Sequence, residues 1–311
     1  MPKTSLNPYY VSGLVEREGS FTWKTFENNA YKAGWGTHPL FHIVLHSIDK
    51  ELLEKIQIFF GAFALQGKGQ RGYSKIYVTK DKCDYVVQSI NEIRILLDHF
   101  DKYPLITEKK ADYILFKGMV DLIIRKEHLT SEGLQKIVNF KAALNRGLSN
   151  KMWQAFPKTI PVERPKVLLK SIPDPNWLVG FVDGEGSFVV TISLNSNKSG
   201  FRVRLEFSVC QHLRDEELMN QSNRIFRLWK TIMDSRSPLI SFRVKKFSDI
   251  IDIIIPFFKK YPLQSVKNLN FMDFCKVAEI MKVKGHLTVE GLEEVRDIRN
   301  NMNTKRNYDV S

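Results

Sequence analysis

Cysteine is scarce in this sequence. Only three of the 311 residues are cysteines, Cys83, Cys210 and Cys275, and they lie far apart in the chain. Without Cys-x-x-Cys spacing, neither a disulfide framework nor a structural zinc site is indicated, so we interpret them as buried free thiols. Long apolar runs are scarce as well, and the run over residues 250–258 is interrupted by an aspartate and a proline. Because a membrane span needs roughly 18 apolar residues, the sequence does not predict a membrane protein.

A targeting signal and a basic tail are also missing. The first ten residues show neither an apolar signal core nor an arginine- and serine-rich transit pattern. The chain is nevertheless basic, with 47 Lys and Arg against 34 Asp and Glu and a formal net charge of +13. Residues 1–160 carry +7 of this charge and residues 161–311 carry +6. We therefore expect a folded basic surface, shared by two halves, that attracts a polyanion such as nucleic acid.

The chain contains two copies of one unit. The matching segments are 11–21 and 178–188, 102–105 and 260–263, and 128–134 and 286–292. Their separation falls from 167 to 158 residues along the chain, and we place the extra residues of the first copy at 89–97. Five prolines between residues 150 and 176 are typical of a linker. We predict an N-terminal unit over 1–150, a linker over 151–176 and a C-terminal unit over 177–311.

Each copy has the pattern of one helix, then strands, then further helices. The first helices are predicted over 9–18 and 176–185, and each ends at a glycine. Strands are predicted where apolar and polar residues alternate, as they do over 188–195 and 202–209. Helical patterns follow in the first copy at 49–60, 81–100, 108–125 and 131–143. We therefore predict an α+β fold in which the helices of each unit cover one face of an antiparallel sheet.

Both predicted first helices end in a Glu-Gly pair. Glu18 and Glu185 then lie at the negative end of the helix dipole, where a carboxylate costs about 0.3–1 kcal/mol. If the two helices pack together at Gly13 and Gly180, these carboxylates become neighbours and repel each other unless a cation lies between them. Hard oxygen ligands favour Mg²⁺ or a similar ion. A single Glu-Gly is more often a solvated helix end, but its duplication within a whole motif favours a metal site.

The two motifs, Gly-Leu-Val-Glu-Arg-Glu-Gly at 13–19 and Leu-Val-Gly-Phe-Val-Asp-Gly-Glu-Gly at 178–186, resemble those of a single-chain LAGLIDADG homing endonuclease. The resemblance extends from about Pro8 to Asn303. It implies a pseudo-twofold tandem repeat with paired motif helices at the interface and two sheets forming a DNA-binding saddle. The implied activity is a metal-dependent double-strand break in a target of about 20 bp, roughly two turns of the duplex, for intron homing. It also implies a monomer, and a mitochondrial location because many relatives are encoded in organelles.

The resemblance assigns the metal ligands to the ends of the motifs. Glu18 and Glu185 would bind Mg²⁺ with backbone groups of Arg17 and Gly184, and Ca²⁺ is expected to occupy the same site without supporting cleavage. Arg17 departs from the family pattern, which has a small residue beside the last glutamate. The two ends of the active site are therefore expected to be chemically unequal.

Four further residues are catalytic candidates by resemblance. Lys109 and Lys267, each five positions after the proline of a Tyr-Pro-Leu segment, match the family's active-site lysine. His46 and Gln211, near the ends of the second strands, match a position that orders active-site water, although their registers differ by one residue. The earlier motif acids, Glu16 and Asp183, match positions that stabilise the helix interface.

Polar residues on the predicted strand faces are the candidates for contacts with DNA in the major groove. They are Lys24, Lys32, Gln66, Lys68, Arg71, Lys75 and Tyr77 in the first half, and Ser193, Asn195, Lys198, Arg202, Arg204, Arg243 and Lys245 in the second. The second copy lacks the glycine turns of the first between residues 226 and 241, which leaves its hairpin undefined.

Two other functions remain open at this point. An RNA maturase that binds host intron RNA would use the same scaffold as a splicing cofactor, without needing the glutamates for catalysis. A catalytically inactive DNA-binding protein would carry at least one damaged active site, and Arg17 is the one feature of the motifs that favours it. The intact glutamates and lysines favour the endonuclease.

Overall fold

The computed structural model describes residues 6–31, 34–61, 74–167, 171–195, 200–212, 216, 226, 231–233, 239–303 and 306. These residues form two compact units. One comprises Met1–Pro8 and Glu18–Lys170, and the other comprises Tyr9–Arg17 and Ser171–Ser311. The body of the first motif helix, α1 (Pro8–Glu18), is therefore part of the second unit.

The first unit is a four-stranded antiparallel sheet covered by helices. Its strands are β1 (Gly19–Glu27), β2 (Trp35–His46), β3 (Lys75–Val78) and β4 (Lys82–Val87), in the order β1-β2-β4-β3. Its helices are α2 (Lys50–Phe59), α3 (Ile90–Lys102), α4 (Lys109–Ile124), α5 (Ser131–Ala143) and α6 (Asn150–Ala155). The helix α6 lies at the start of the segment expected to be a linker.

The second unit has the same design. Helix α7 (Pro175–Glu185) leads into β5 (Gly186–Leu194), β6 (Phe201–His212), β7 (Thr231–Met233) and β8 (Leu239–Val244), in the order β5-β6-β8-β7. The later helices are α8 (Phe247–Asp249), a π-helical turn (Ile250–Ile254), α9 (Ile255–Lys260), α10 (Lys267–Lys282) and α11 (Val289–Asn300). The pairing of β7 with β8 gives this half its hairpin strands. The predicted α+β repeat is confirmed, and none of the described helices is long and apolar enough to cross a membrane.

The length difference between the copies lies elsewhere than predicted. β4 begins 157 residues before β8, so the separation has already fallen at Lys82, and the extra residues of the first copy precede β4 rather than occupying 89–97. The helix predicted over 81–100 is wrong in its first part, because β4 buries alternate residues of this segment. The separation then rises to 158 at the Tyr-Pro-Leu segments, so the second copy has one extra residue after β8. The π-helical turn accommodates such a residue within the helix.

Matched aromatic side chains fill the two cores. The ring of Phe21 contacts those of Phe41, Phe100 and Phe116, with centroids 5.2–5.6 Å apart. Its counterpart, Phe188, contacts phenylalanines of β6, α9 and α10 at 5.1–5.4 Å. Edge-to-face and tilted pairs of this kind stabilise by about 0.5–1.5 kcal/mol beyond their buried area. The same rings thus fix the helices on the sheet in each unit.

The repeated His-Leu-Thr-x-Glu-Gly-Leu segment is a helix start. Thr130 accepts a hydrogen bond from the N–H of Gly133 at 3.0 Å, and Thr288 accepts one from Gly291 at 3.1 Å. A Cβ at Gly133 would lie 1.9 Å from the carbonyl oxygen of Glu127, so only glycine fits there. The duplication of this segment reflects N-capping and close packing.

Within the second unit, α1 and α7 cross with their backbones in contact. A Cβ at Gly13 would lie 1.9 Å from the carbonyl oxygen of Trp177, and one at Gly180 would lie 2.0 Å from that of Tyr10. No side chain can fit in either gap, and α1 and α7 bury apolar residues such as Leu14 on both sides of the crossing. The predicted packing of the motif helices at these glycines is confirmed.

We expect Gly180→Ala to destabilise the protein by about 3 kcal/mol or more, because the added methyl meets backbone that cannot move aside. Gly118→Ala is the matched control, since its Cβ would meet only the ring edge of Phe140, at 2.8 Å. Alanine also gains about 1 kcal/mol of helix propensity there, so the control should stay within about 1 kcal/mol of wild type. Urea denaturation measures both, and equal losses would contradict this account of the crossing.

We expect the protein to lose stability in acid because of the buried side chain of His99. Its ring is buried against Phe59, Phe60 and Phe100, with centroids 4.9–5.4 Å away, and this burial lowers the pKa of His99 to about 4. In the unfolded chain the imidazole of this histidine has a pKa of about 6.5. The free energy of unfolding therefore contains the full contribution of the neutral ring above pH 6.5 and loses it as the pH falls towards 4. The loss amounts to about 3 kcal/mol.

The His99→Phe variant should lack this part of the acid loss. Urea denaturation at pH 7.5 and pH 4.5 gives the difference for each protein, and residues that titrate in both proteins cancel in the comparison. An identical pH dependence for the variant and the wild type would show that His99 does not titrate as described.

Candidate active site and nucleic-acid interface

The two motif glutamates lie at helix–strand junctions. Glu18 is the last residue of α1 and Glu185 the last of α7, and β1 and β5 begin at the next residues, Gly19 and Gly186. Both side chains are half-buried. Each helix therefore presents a carboxylate at the point where its sheet begins.

Glu185 forms an ion pair with Arg17. The guanidinium Nε of Arg17 contacts Oε1 of Glu185, and the side chains are 45% and 18% exposed. The sequence identified Arg17 as a departure from the motif but did not predict this partner, because the two residues are 168 positions apart.

Both predicted lysines reach the ends of the motif segments. The Nζ of Lys267 donates hydrogen bonds to the carbonyl oxygens of Val182 at 2.9 Å and Gly184 at 3.0 Å. In the first unit the Nζ of Lys109 donates to the carbonyl oxygen of Gly19. The Lys267 ammonium, at carbonyls of the last turn of α7, offsets the negative end of the helix dipole. Gly19 and Gly184 are each adjacent in sequence to a motif glutamate.

A buried carboxylate holds the start of α10 in place. Asp183 accepts hydrogen bonds from the hydroxyl of Tyr10 at 2.8 Å, the N–H of Gln264 at 2.7 Å and the hydroxyl of Ser265. Ser265 in turn accepts one from the N–H of Lys267 at 3.1 Å. Burial raises the pKa of Asp183, and hydrogen bonds from Ser265, Gln264 and Tyr10 offset part of the rise. Asp183 thus connects the helix crossing to Lys267.

His46 and Gln211 do not occupy equivalent positions. Phe41 on β2 and Phe207 on β6 pair with matching phenylalanines, so the counterpart of His46 is His212. Because successive strand residues point to opposite faces, His46 lies on the solvent face and Gln211 lies on the same side as Phe207. His46 also accepts a hydrogen bond from the N–H of Ile48 at 3.4 Å, which caps the following turn.

The described DNA-contact candidates share one face of each sheet, the face opposite the phenylalanine core. Seven lie within strands on this face: Lys24, Lys75, Tyr77, Ser193, Arg202, Arg204 and Arg243. Asn195 and Lys245 directly follow β5 and β8. Lys32, Gln66, Lys68, Arg71 and Lys198 lie outside the described residues.

The solvent faces also carry charged residues that the sequence did not single out. Glu206 on β6 forms ion pairs with Arg243 at 3.8 Å and Lys245 at 3.1 Å. On β2, His42 lies 3.6 Å from Asp84. Strand alternation places Glu206, His42 and Asp84 on the solvent face. Glu206 and Asp84 were not predicted as DNA contacts, because acidic residues on a basic surface were not considered as candidates. Within the described part of the chain, no three His, Cys, Asp or Glu residues are close enough to hold a metal by themselves.

Comparison with known proteins identifies relatives of the whole two-unit chain. A family model described as LAGLIDADG endonuclease matches residues 11–120 and 178–278. The probable intron-encoded endonuclease 3 of Neurospora crassa is 36% identical over 291 residues, which are 93% of this chain and 53% of the relative. This chain therefore spans about half the length of that relative.

Solved structures extend the similarity to the fold. The LAGLIDADG homing endonuclease I-SmaMI, bound to cleaved DNA, has a TM-score of 0.90 and 41% identity, with 97% of this chain and 98% of that chain covered. I-SmaMI bound to an uncleaved DNA target in the presence of calcium ions has a TM-score of 0.88, 41% identity and coverages of 96% and 99%. With its two matched motif regions and two units of one fold, this chain belongs to the LAGLIDADG endonuclease family.

Proposed function

We propose that this protein is a site-specific DNA endonuclease that makes a metal-dependent double-strand break for intron homing. One observation carries the proposal: in both copies a lysine ammonium binds a backbone carbonyl directly beside the last residue of a motif helix, and that residue is a glutamate. A carboxylate for a cation and an ammonium for a developing anion are the groups that phosphodiester hydrolysis requires. The DNA-bound I-SmaMI structures support the same conclusion.

Each motif end offers donors that fit a magnesium site completed by DNA. Glu18 in one unit and Glu185 in the other each supply hard carboxylate oxygens, and the backbone carbonyls of Arg17 and Gly184 are the proposed further donors. The Gly184 carbonyl oxygen accepts from Lys267 and keeps a second lone pair. Mg²⁺ is commonly held by one or two carboxylates together with water and substrate phosphate, which agrees with the lack of a larger acidic cluster among the described residues. A bound ion would activate water and neutralise charge on the scissile phosphates.

Ca²⁺ is proposed to occupy the same site without supporting cleavage. The structure of I-SmaMI with uncleaved target and calcium ions supports this. Ca²⁺ accepts more ligands and a looser geometry than Mg²⁺, so it can bind the same oxygens.

Other residues of this chain would stabilise charge, order water and bind the DNA. Lys109 and Lys267 would stabilise the charge that develops on the phosphate in the transition state. Gln211 and His46 would order water near it. The solvent faces of the two sheets would bind the major groove of a duplex of about 20 bp, roughly two helical turns, where arginines such as Arg202 and Arg204 read base edges or neutralise phosphates.

The protein is proposed to act as a monomer, since a single chain carries both motifs. The description of the Neurospora relative as intron-encoded supports the homing role. A mitochondrial location is proposed from the family resemblance. The RNA maturase alternative gains no support, because the relatives are described as endonucleases and the solved structures as DNA complexes.

We expect Glu18→Gln and Glu185→Gln each to slow cleavage about 100-fold or more, because the amide keeps the shape of the side chain but removes the charge that holds the metal. A duplex selected from a randomised library serves as target, and strand-labelled cleavage is measured in Mg²⁺. Binding of the same duplex in Ca²⁺, measured by gel shift, should stay close to wild type. Undiminished cleavage by both variants would refute the assignment.

Asp183→Asn should destabilise the protein by about 2 kcal/mol and slow cleavage, because the new NH₂ group faces hydrogen-bond donors in a buried site. Misplacement of Lys267 should lower kcat more than it raises KM. Asp84→Asn is the control, since that side chain is 36% exposed and should change stability by less than about 0.5 kcal/mol. A fully stable, fully active Asp183→Asn protein would show that the network does not position Lys267.

A further inference from the structure

We propose that Arg17 couples DNA binding to metal binding at Glu185, so that this end of the active site binds its metal more tightly when DNA is bound. The inference rests on the proposed endonuclease function and specifies how one end of its active site is regulated. It is carried by the ion pair between Arg17 and Glu185.

The ion pair occupies the carboxylate that the metal needs. Arg17 projects from the last turn of α1, and its Nε contacts the side-chain oxygen of the last residue of α7. A guanidinium stays protonated at every working pH, so it cannot release the carboxylate by losing its proton. A divalent cation must therefore displace Arg17 before it can use this oxygen of Glu185.

The two copies differ in this contact. The second motif has Gly184 at the position that matches Arg17, and glycine has no side chain with which to form an ion pair. The difference therefore arises from the motif residues themselves. The ion pair with Arg17 lies at the Glu185 end of the active site. The competition between arginine and metal is accordingly expected at Glu185.

DNA offers Arg17 another anion. Its side chain is 45% exposed while that of Glu185 is 18% exposed, so the guanidinium has room to leave and the carboxylate does not. Phosphate oxygens accept two parallel hydrogen bonds from a guanidinium and form strong charge-assisted pairs. When a phosphate takes over Arg17, Glu185 loses its guanidinium partner beside a bound polyanion, and a divalent cation becomes its natural partner.

The coupling is reciprocal. If DNA raises the affinity of this end for the cation, the cation raises the affinity for DNA by the same factor. A merely structural ion pair would contribute to folding stability and would leave metal affinity unchanged.

The test compares wild type, Arg17→Met and Arg125→Met. Methionine keeps an unbranched apolar stem and removes the charge. Arg125 is the matched control, because it loses the same charge from another ion pair, with Glu127, at the end of α4. Ca²⁺ is titrated calorimetrically into each protein, first alone and then with a bound duplex selected from the randomised library. Urea denaturation establishes that each variant is folded.

Without DNA, Arg17→Met should bind Ca²⁺ about 10-fold more tightly than wild type, a typical allosteric coupling factor. With DNA bound, the two affinities should converge, and Arg125→Met should follow wild type throughout.

Equal Ca²⁺ affinities of wild type and Arg17→Met in the absence of DNA would overturn the inference, as would tighter binding by Arg125→Met as well. Failure of every protein to bind Ca²⁺ would also overturn it, because no metal would then compete with Arg17. The titration is independent of cleavage. Wild type that cuts no DNA in Mg²⁺ refutes the proposed function, whereas normal cutting with unchanged Ca²⁺ affinity refutes the role of Arg17 alone.

Discussion

The contact between the backbones of α1 and α7 is the constraint on which the second unit depends. Each helix has a glycine where the other presents a carbonyl oxygen about 2 Å from the position of a missing Cβ. Such a close approach fixes how far each helix can slide or rotate along the other. The contact thereby also fixes the positions of the last turns of both helices, which brings Arg17 within reach of Glu185. Asp183 links this helix pair to the start of α10, because it accepts hydrogen bonds from Tyr10 of α1 and from the segment that leads into α10.

Duplication has kept the physical roles and changed the charges. Both units use the same strand order, the same aromatic contacts and the same threonine-capped helix. The surfaces differ: the central strand of the first sheet presents histidines to solvent, and that of the second presents Arg202, Arg204 and Glu206. Core positions are restricted by packing, in which small changes of volume are costly, whereas solvent-facing positions are restricted mainly by what they bind. Under the proposed endonuclease function, each of these surfaces would read its own half of the target duplex.

Much of the fold was predictable, because its signals are local. The alternation within a strand, the glycine after a motif helix and each single copy of the motif can all be recognised within about ten residues of sequence. The error at 81–100 came from β4, a strand of only six residues that directly precedes a helix, so that its short alternating pattern merged with the helical one. The ion pairs of Arg17 and Glu206 could not be read in this way, because each joins side chains on separate elements. The lysines were found through their repeated register, while Ser265, which carries the connection from Asp183 to Lys267, has no local signal of its own.

The π-helical turn between α8 and α9 also bears on how the two halves should be aligned. It takes up one additional residue within a continuous helical segment, so that Tyr261 and the residues after it resume the order of the first copy. Alignments usually assign gaps to loops, and a gap moved from this turn into the neighbouring connection would shift the whole of α9 by one position. A shift of that size rotates a helix by about 100° and would assign core phenylalanines to solvent. Comparisons among such duplicated proteins therefore need gaps to be allowed inside helices, where a single wide turn can absorb them.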